Sequence, residues 1–138
     1  MLIPKKVKHR KWQKGRSKGR LKESRGLLLN YGQYGLKATE AAWLTSRQIE
    51  AARRTVTHFL KRQGRLWIRV FPDKPITKRP PETTMGGGKG SVDHYVFPVR
   101  PGRIILEVDG VAEETAREAL RRAGYKLPFK SRVIGKSD

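Results

Sequence analysis

The chain has 138 residues, the length of one domain. Its 32 Lys and Arg outnumber 12 Asp and Glu and give a formal net charge of +20, so a large anionic partner is the first expectation. The sequence contains no cysteine, which excludes disulfides, thiolate metal sites and a cysteine nucleophile. No stretch approaches about 18 apolar residues, so we expect no transmembrane helix and no membrane partner.

Residues 1–26 form a basic extension that holds half of the excess positive charge and only four Leu, Ile or Val residues. Such a segment cannot bury an apolar face and is expected to be disordered alone in water. A solvated tail and an organelle transit peptide are alternatives, although the segment is neither amphipathic nor serine-rich. We favour a nucleic-acid contact in which basic residues bind phosphates and Trp12 stacks on a base or an Arg. The predicted contacts are Lys5, Lys6, Lys8, Arg10, Lys11, Trp12, Lys14, Arg16, Lys18 and Arg20.

A helix is predicted after a glycine-rich stretch. Residues 26–36 mix apolar residues with glycines, which predicts short strands separated by tight bends. Thr45 and Gln48 have the spacing of a capping box, so we expect a helix to begin there. Gly64 predicts that this helix ends near Gln63.

This predicted helix has an apolar stripe and, opposite it, a basic face. At about 100° per residue, Ile49, Ala52 and Val56 fall on one side and belong to the core. The opposite side has almost no acid, apart from Glu50 at its edge. A charged outer face is usually just solvated, but in so basic a chain we expect it to face phosphates. The residues predicted to do so are Arg47, Arg54 and Lys61, with His58 beside them.

Three strands are predicted in the middle of the chain, and a turn joins two of them. Residues 66–71 are rich in β-branched and aromatic side chains, and we expect Arg69 on this strand to bind nucleic acid. The side chains of residues 104–109 follow a period of two, which predicts a half-buried strand. Pro and Gly at the centre of residues 100–103 suit a type II turn, so we expect this strand to form a hairpin with residues 95–99.

The carboxy-terminal part predicts a second helix over residues 112–123 and a strand over residues 129–134. Acids lie in the first turn of this helix and arginines in its last turn, as the helix dipole favours. We therefore interpret these charges as stabilising the helix. Together with the preceding elements, this helix and this strand predict one α+β domain over residues 27–138.

A long loop is predicted over residues 72–91, between two strands. Connections of this length are usually functional or disordered. Gly88 and Lys89 suggest a phosphate loop, but the Gly required five residues earlier and the Ser or Thr required after the lysine are missing. A glycine-rich tip still lets backbone amides and Lys89 approach phosphates. The loop residues predicted to contact nucleic acid are Lys74, Lys78, Arg79, Met85, Gly86, Gly87, Gly88, Lys89 and Gly90.

Catalytic and metal-binding patterns are missing from the sequence. His9, His58 and His94 lack metal-ligand spacing, and Asp93 beside His94 is not accompanied by a serine elbow motif. We therefore expect a protein that is not an enzyme and that holds no metal and no cofactor.

Five short motifs occur in order along the chain. They are MLIPK at residues 1–5, KGR at 14–16, RQIEAARR at 47–54, IRVFPDKPIT at 68–77 and KLP at 126–128. The fourth is similar to the signature of the bacterial-type large-subunit ribosomal protein L-sixteen family, and the third resembles that family's first-helix motif. The whole chain thus resembles this family, and no single motif carries the resemblance.

The resemblance implies a hammerhead-like α+β fold with two helices and a small mixed or antiparallel sheet. It implies a structural constituent of the large ribosomal subunit that binds large-subunit rRNA near the peptidyl transferase centre. It also implies help in positioning tRNA in the aminoacyl site, late incorporation during assembly, neighbouring ribosomal proteins as partners, and no enzymatic activity. In the family, the amino-terminal extension and the long loop approach the functional centre. No homo-oligomer is expected.

Two positions depart from the family's pattern. Gly87 stands where the loop tip usually has a Lys. Thr84 stands where the family usually has an Arg that is hydroxylated in some bacteria, so we do not expect that modification here. Two positive charges are therefore missing at the tip.

Two other functions compete with this interpretation. One is a free RNA-binding assembly chaperone, and a distant third is an enzyme acting on RNA. We expect a ribosome in the cytoplasm, and the sequence leaves an organellar ribosome open.

Overall fold

The computed structural model describes residues 1–15, 21–82 and 86–138. In chain order, the elements are β1 (Tyr34–Ala38), β2 (Ala42–Thr45), α1 (Ser46–Phe59), β3 (Arg65–Ile68), β4 (Lys74–Lys78), β5 (Ser91–Val99), β6 (Ile104–Asp109), α2 (Glu113–Gly124) and β7 (Ser131–Gly135). This confirms the α+β class with two helices. The strands form two antiparallel sheets where we expected one.

The two sheets are built from strands that are distant in the sequence. The four-stranded sheet has the order β3-β6-β1-β7 and the three-stranded sheet the order β2-β5-β4. In β1, Tyr34 lies opposite Val108 of β6 on one side and Gly135 of β7 on the other. The helices pack against each other, and α2 packs on β1 and β7. The buried core includes Leu36, Leu44, Ile49, Val56, Leu106, Val108, Ala116 and Leu120.

Helix α1 begins where the sequence predicts and ends earlier. The backbone N–H of Gln48 donates to Thr45 Oγ1 (3.2 Å) and that of Thr45 donates to Gln48 Oε1 (2.9 Å), which completes the capping box. At the other end, the N–H of Arg62 donates to the Thr57 carbonyl (3.1 Å) and that of Lys61 to the His58 carbonyl (3.2 Å). This is a Schellman motif. The left-handed residues here are Lys61 and Arg62 and not glycines. No residue before Gly64 therefore predicts the end of the helix.

The predicted hairpin between residues 95–99 and 104–109 is wrong, although its turn is present. The N–H of Arg103 donates to the Arg100 carbonyl (3.2 Å), and Gly102 has a φ of +102°. However, β5 pairs with β2 and β4, whereas β6 pairs with β1 and β3. The turn therefore carries the chain from one sheet to the other. A turn sequence fixes local geometry only, and the partners of each strand are chosen by distant segments.

Strand β6 is buried on both faces, and the prediction of a half-buried strand is wrong. Residues 104–108 are 0% exposed, and they include Glu107. Residues 30–32 and Arg69 cover that carboxylate. The amides of residues 30–32 are bound there and not to a neighbouring strand. Of the predicted strands over residues 26–36, only the part that belongs to β1 (Tyr34–Ala38) is a strand.

The predicted long loop over residues 72–91 is shorter than expected. Residues Lys74–Lys78 form β4, which pairs with β5 at the edge of the three-stranded sheet, so the connection between these two strands is residues 79–90. Pro75 fits because an edge strand tolerates a residue without an N–H. Strand β3 ends at Ile68, earlier than predicted, whereas α2 and β7 lie within two residues of their predicted positions.

Candidate nucleic-acid interface

The outer face of α1 is basic and exposed. Arg47, Arg54 and Lys61 all lie on the surface, as the periodicity of the helix predicts. Near the end of the helix the face is concave, with a cavity of about 630 Å³. The cavity is lined by Arg53, Arg54, Thr57, His58, Lys61 and Arg62. Four guanidinium or ammonium groups around one depression favour a polyanion as its ligand.

Some of these cations have a carboxylate partner and others do not. Glu50 accepts hydrogen bonds from Arg53 Nε (3.0 Å) and Arg54 Nε (3.2 Å). The Arg53 guanidinium, with a smaller effect from Arg54, lowers the pKa of Glu50 to about 2. No salt bridge joins Arg47, Lys61 or Arg62 to a carboxylate within the parts of the chain that the structure describes. These three charges are available to a partner.

The end of α1 holds two of these cations in a conformation that favours glycine. Lys61 has a φ of +52° and Arg62 a φ of +64°. A residue with a Cβ pays about 1–2 kcal/mol for the left-handed region. The Schellman hydrogen bonds hold it there, and a cation at a helix C-terminus interacts favourably with the helix dipole. Backbone strain of this kind clusters at functional sites.

The extension has neither helix nor strand in its described residues, 1–15 and 21–26. The predicted contacts Lys5, Lys6, Lys8, Arg10 and Lys14 are exposed, and Lys11 is partly buried. The extension nevertheless touches the domain, because Leu2 packs against the core and the N–H of Glu23 donates to the Pro101 carbonyl (3.0 Å). Three further predicted contacts lie outside the described residues: Arg16, Lys18 and Arg20.

The β4–β5 loop is held by its own backbone carbonyls. Arg79 donates to the carbonyls of Gly86 (2.9 Å) and Gly88. Gly86, Gly87 and Gly88 all have positive φ, and a Cβ at any of them would meet no atom within 4 Å. Glycine is therefore required here by backbone conformation and not by crowding. Lys78 and Lys89 are exposed, Lys74 is partly buried, and Gly90 lies against the Lys78 carbonyl. Met85 and Thr84 lie outside the described residues.

Arg69 differs from the other predicted contacts, because its partner is inside the protein. Its guanidinium pairs with Glu107 Oε2, and its side chain is only 13% exposed. Glu107 Oε1 accepts from the amides of Asn30 (3.0 Å), Tyr31 (2.9 Å) and Gly32 (2.9 Å). Burial would raise the pKa of Glu107, but the Gly32 amide, the Arg69 guanidinium and the Tyr31 amide together hold it below its ordinary value. Arg69 therefore has a structural role, and its contact with nucleic acid stays a prediction.

Residues 4–134 match the family described as ribosomal protein L16p/L10e. The chain belongs to this family. It is therefore a structural protein of the large ribosomal subunit, and its family implies rRNA and other ribosomal proteins as partners. The described residues contain no helix long and apolar enough to cross a membrane, and no cluster of three or more His, Cys, Asp or Glu that could hold a metal ion.

Sequence reasoning on this L16p/L10e protein missed two cations of the α1 cavity. Arg53 and Arg62 line it, but neither was assigned to the basic face. Arg62 follows His58 by four residues, and that spacing would have placed it on the same side of a continued helix. The sequence does not predict the left-handed turn at Lys61. It therefore does not predict where that turn places Arg62.

Proposed function

We propose that this ribosomal protein binds large-subunit rRNA through its basic extension and the outer face of α1. The observation that carries the proposal is the set of cations Arg47, Lys61 and Arg62, which no described carboxylate neutralises. An RNA backbone supplies closely spaced phosphates along its length, which match an extended basic surface. Contacts to phosphate and sugar fix position without reading sequence, so the protein holds rRNA in place.

We also propose that the loop over residues 79–90 reaches toward the peptidyl transferase centre and the tRNA in the aminoacyl site. The glycine backbone at Gly86, Gly87 and Gly88 lets the tip approach another backbone closely. Exposed Lys78 and Lys89 flank this tip. The resemblance to the L-sixteen family supports the same placement.

A charge-matched pair of triple variants tests the α1 face. In the first variant, Arg47, Lys61 and Arg62 are changed to Gln. In the second, the three arginines of α2 are changed to Gln: Arg117, Arg121 and Arg122. If each α1 cation meets a duplex phosphate, the first variant lowers the log–log salt slope of rRNA binding by about 2.7, at about 0.9 per contact. The measurement is a filter-binding titration against large-subunit rRNA at several salt concentrations.

The α2 variant carries the same change in net charge and controls for long-range attraction. Its arginines already have carboxylate partners, so we expect its salt slope to stay close to that of the unchanged protein. Equal slopes for the two variants would refute the α1 face as the binding surface. Circular dichroism of both variants shows whether the helices are intact.

A tethered cleavage reagent tests where the loop lies in the subunit. Because the chain has no cysteine, Ser91→Cys and Ser137→Cys each give a single attachment point, beside the loop and near the carboxy terminus. With Fe–EDTA at position 91 we expect rRNA cleavage around the peptidyl transferase centre, and with the reagent at position 137 we expect cleavage elsewhere. Identical cleavage patterns would contradict the proposed placement. Loss of the labelled chain in a moderate-salt wash would favour a free chaperone.

A further inference from the structure

The extension docks on the β4–β5 hairpin through lysine side chains and backbone carbonyls. Lys11 Nζ donates to the Lys89 carbonyl (3.0 Å), and Lys89 Nζ donates to the Trp12 carbonyl. Lys74 Nζ donates to the Lys14 carbonyl (2.6 Å). These three bonds cross between segments that are 60 or more residues apart. They hold the chain around Trp12 at a fixed place beside β4.

A groove of about 400 Å³ lies between these two segments. It is lined by two tryptophans, Trp12 and Trp43, by three lysines, Lys14, Lys74 and Lys89, and by residues 75–77 of β4. No carboxylate is among the described residues that line it. The groove thus combines aromatic surface with at least three positive charges.

Lys89 keeps the capacity to bind an anion. An ammonium group has three N–H donors and no acceptor, so one bond to a carbonyl leaves two donors on Lys89. A carbonyl is neutral and does not cancel the charge of the lysine that it binds. An anion that enters the groove therefore meets the charge and the unused donors of Lys89.

Trp12 is more exposed than the other tryptophans, Trp43 and Trp67. It is 40% exposed. Trp67 stacks on Tyr31, with ring centroids 5.9 Å apart and an interplanar angle of 21°. Trp43 carries Lys74 over its ring, 4.6 Å from the centroid. Trp12 is thus the indole in the groove best placed to receive a flat ligand.

We propose that this groove binds one unpaired nucleotide of RNA, with the base stacked on Trp12 and the phosphate on Lys14 and Lys89. Trp43 and Lys74 form the opposite wall. The inference rests on the proposed rRNA binding and adds that the RNA at this place is single-stranded. Bases inside an RNA helix are stacked on each other and cannot reach an indole, whereas splayed bases of loops and bulges stack on aromatic side chains.

Two RNA probes with equal numbers of phosphates test the groove on the full chain. One is a single-stranded oligouridylate and the other is a blunt-ended duplex of two strands. We expect Trp12→Leu to weaken binding of the single strand by roughly 5- to 150-fold, the range that loss of one base–aromatic stack gives. Lys89→Gln also weakens it, and Trp12→Phe retains most of the affinity because a ring remains. Duplex affinity stays within about twofold for the two Trp12 variants. Anisotropy of labelled RNA gives the Kd values.

Trp67→Leu is the matched control, because it removes an indole whose face is already covered by Tyr31. We expect it to leave single-strand affinity unchanged, with circular dichroism to confirm folding. Unchanged single-strand binding by Trp12→Leu, or an equal loss on both probes, would overturn the groove while rRNA binding through α1 stands. If the unchanged protein binds neither probe, the proposed function falls together with the groove.

Discussion

The two helices carry similar numbers of arginines and lysines and use them differently. On α2, Arg117 pairs with Glu113 (3.0 Å), and Arg121 and Arg122 both pair with Glu118 (2.7 and 3.0 Å). On α1, the single acid Glu50 pairs with Arg53 and Arg54, whereas Arg47 has no described carboxylate partner. Lys61 and Arg62, just beyond the end of α1, have none either. The number of positive charges therefore does not mark a binding surface. What distinguishes the two helices is how many of those charges the protein itself neutralises.

The largest effect is expected when the carboxylate is removed from the buried pair of Arg69 and Glu107. Glu107→Ala leaves Arg69 without its partner and three amides without an acceptor. Breaking a buried ion pair by removing one member costs about 3–5 kcal/mol. We expect a loss of that size in the free energy of unfolding, measured by urea denaturation followed by circular dichroism.

Glu113→Ala on α2 is the control for this variant. It also removes one acid from an arginine, but the pair is exposed, and exposed pairs contribute little. A similar loss of stability in the two variants would show that the burial of Glu107 is irrelevant to its contribution.

Acid titration tests the buried pair of Arg69 and Glu107 with a smaller expected effect on stability. The pKa of Glu107 is lower in the folded protein than its ordinary value of 4.5, so its contribution to stability is present above about pH 4.5. That contribution is lost as the pH falls through the folded-state pKa. We expect the stability of the unchanged protein to drop below pH 4.5. We expect Glu107→Gln, measured by thermal melts, to show a flatter profile there, and a profile parallel to the unchanged protein would contradict this.

The mildest change converts α2 toward the pattern of α1. The Arg121 guanidinium, with a smaller effect from Arg122, lowers the pKa of Glu118 to about 2. Glu118→Gln releases both arginines at once, and we expect a small rise in non-specific RNA affinity. The log–log salt slope should steepen by at most about 0.9 for each arginine that gains a phosphate. An unchanged slope, measured by filter binding, would show that unpaired charge alone does not create a contact.

Local features of this fold could be predicted from the sequence. The capping box at Thr45 depends on residues three apart, and the turn at Pro101 and Gly102 on four consecutive residues. The exposed cations of α1 follow from helical periodicity and the burial of Ile49 and Val56. Each of these features is determined within one turn or a few helical turns.

Features that depend on distant partners could not be predicted. Arg69 was assigned to RNA because Glu107, 38 residues away, was not known to be its partner. Residues 30–32 looked like part of a strand, and the sequence does not show that a buried carboxylate binds their amides. The groove at Trp12 was equally hidden, because it arises where the extension meets a hairpin about 60 residues further along.

Strand β1 lies between β6 and β7, and its register has a consequence for how the protein is made. Tyr34 pairs with Gly135, so β1, an inner strand of the larger sheet, lacks one neighbour until residue 135 has been synthesised. At about 5–20 residues per second, the intervening segment takes roughly 5–20 s to produce. Pairings this distant also fold slowly. A newly made chain therefore exposes its polycationic extension for seconds before the domain can close, and during that time any nearby polyanion competes with the ribosome for it.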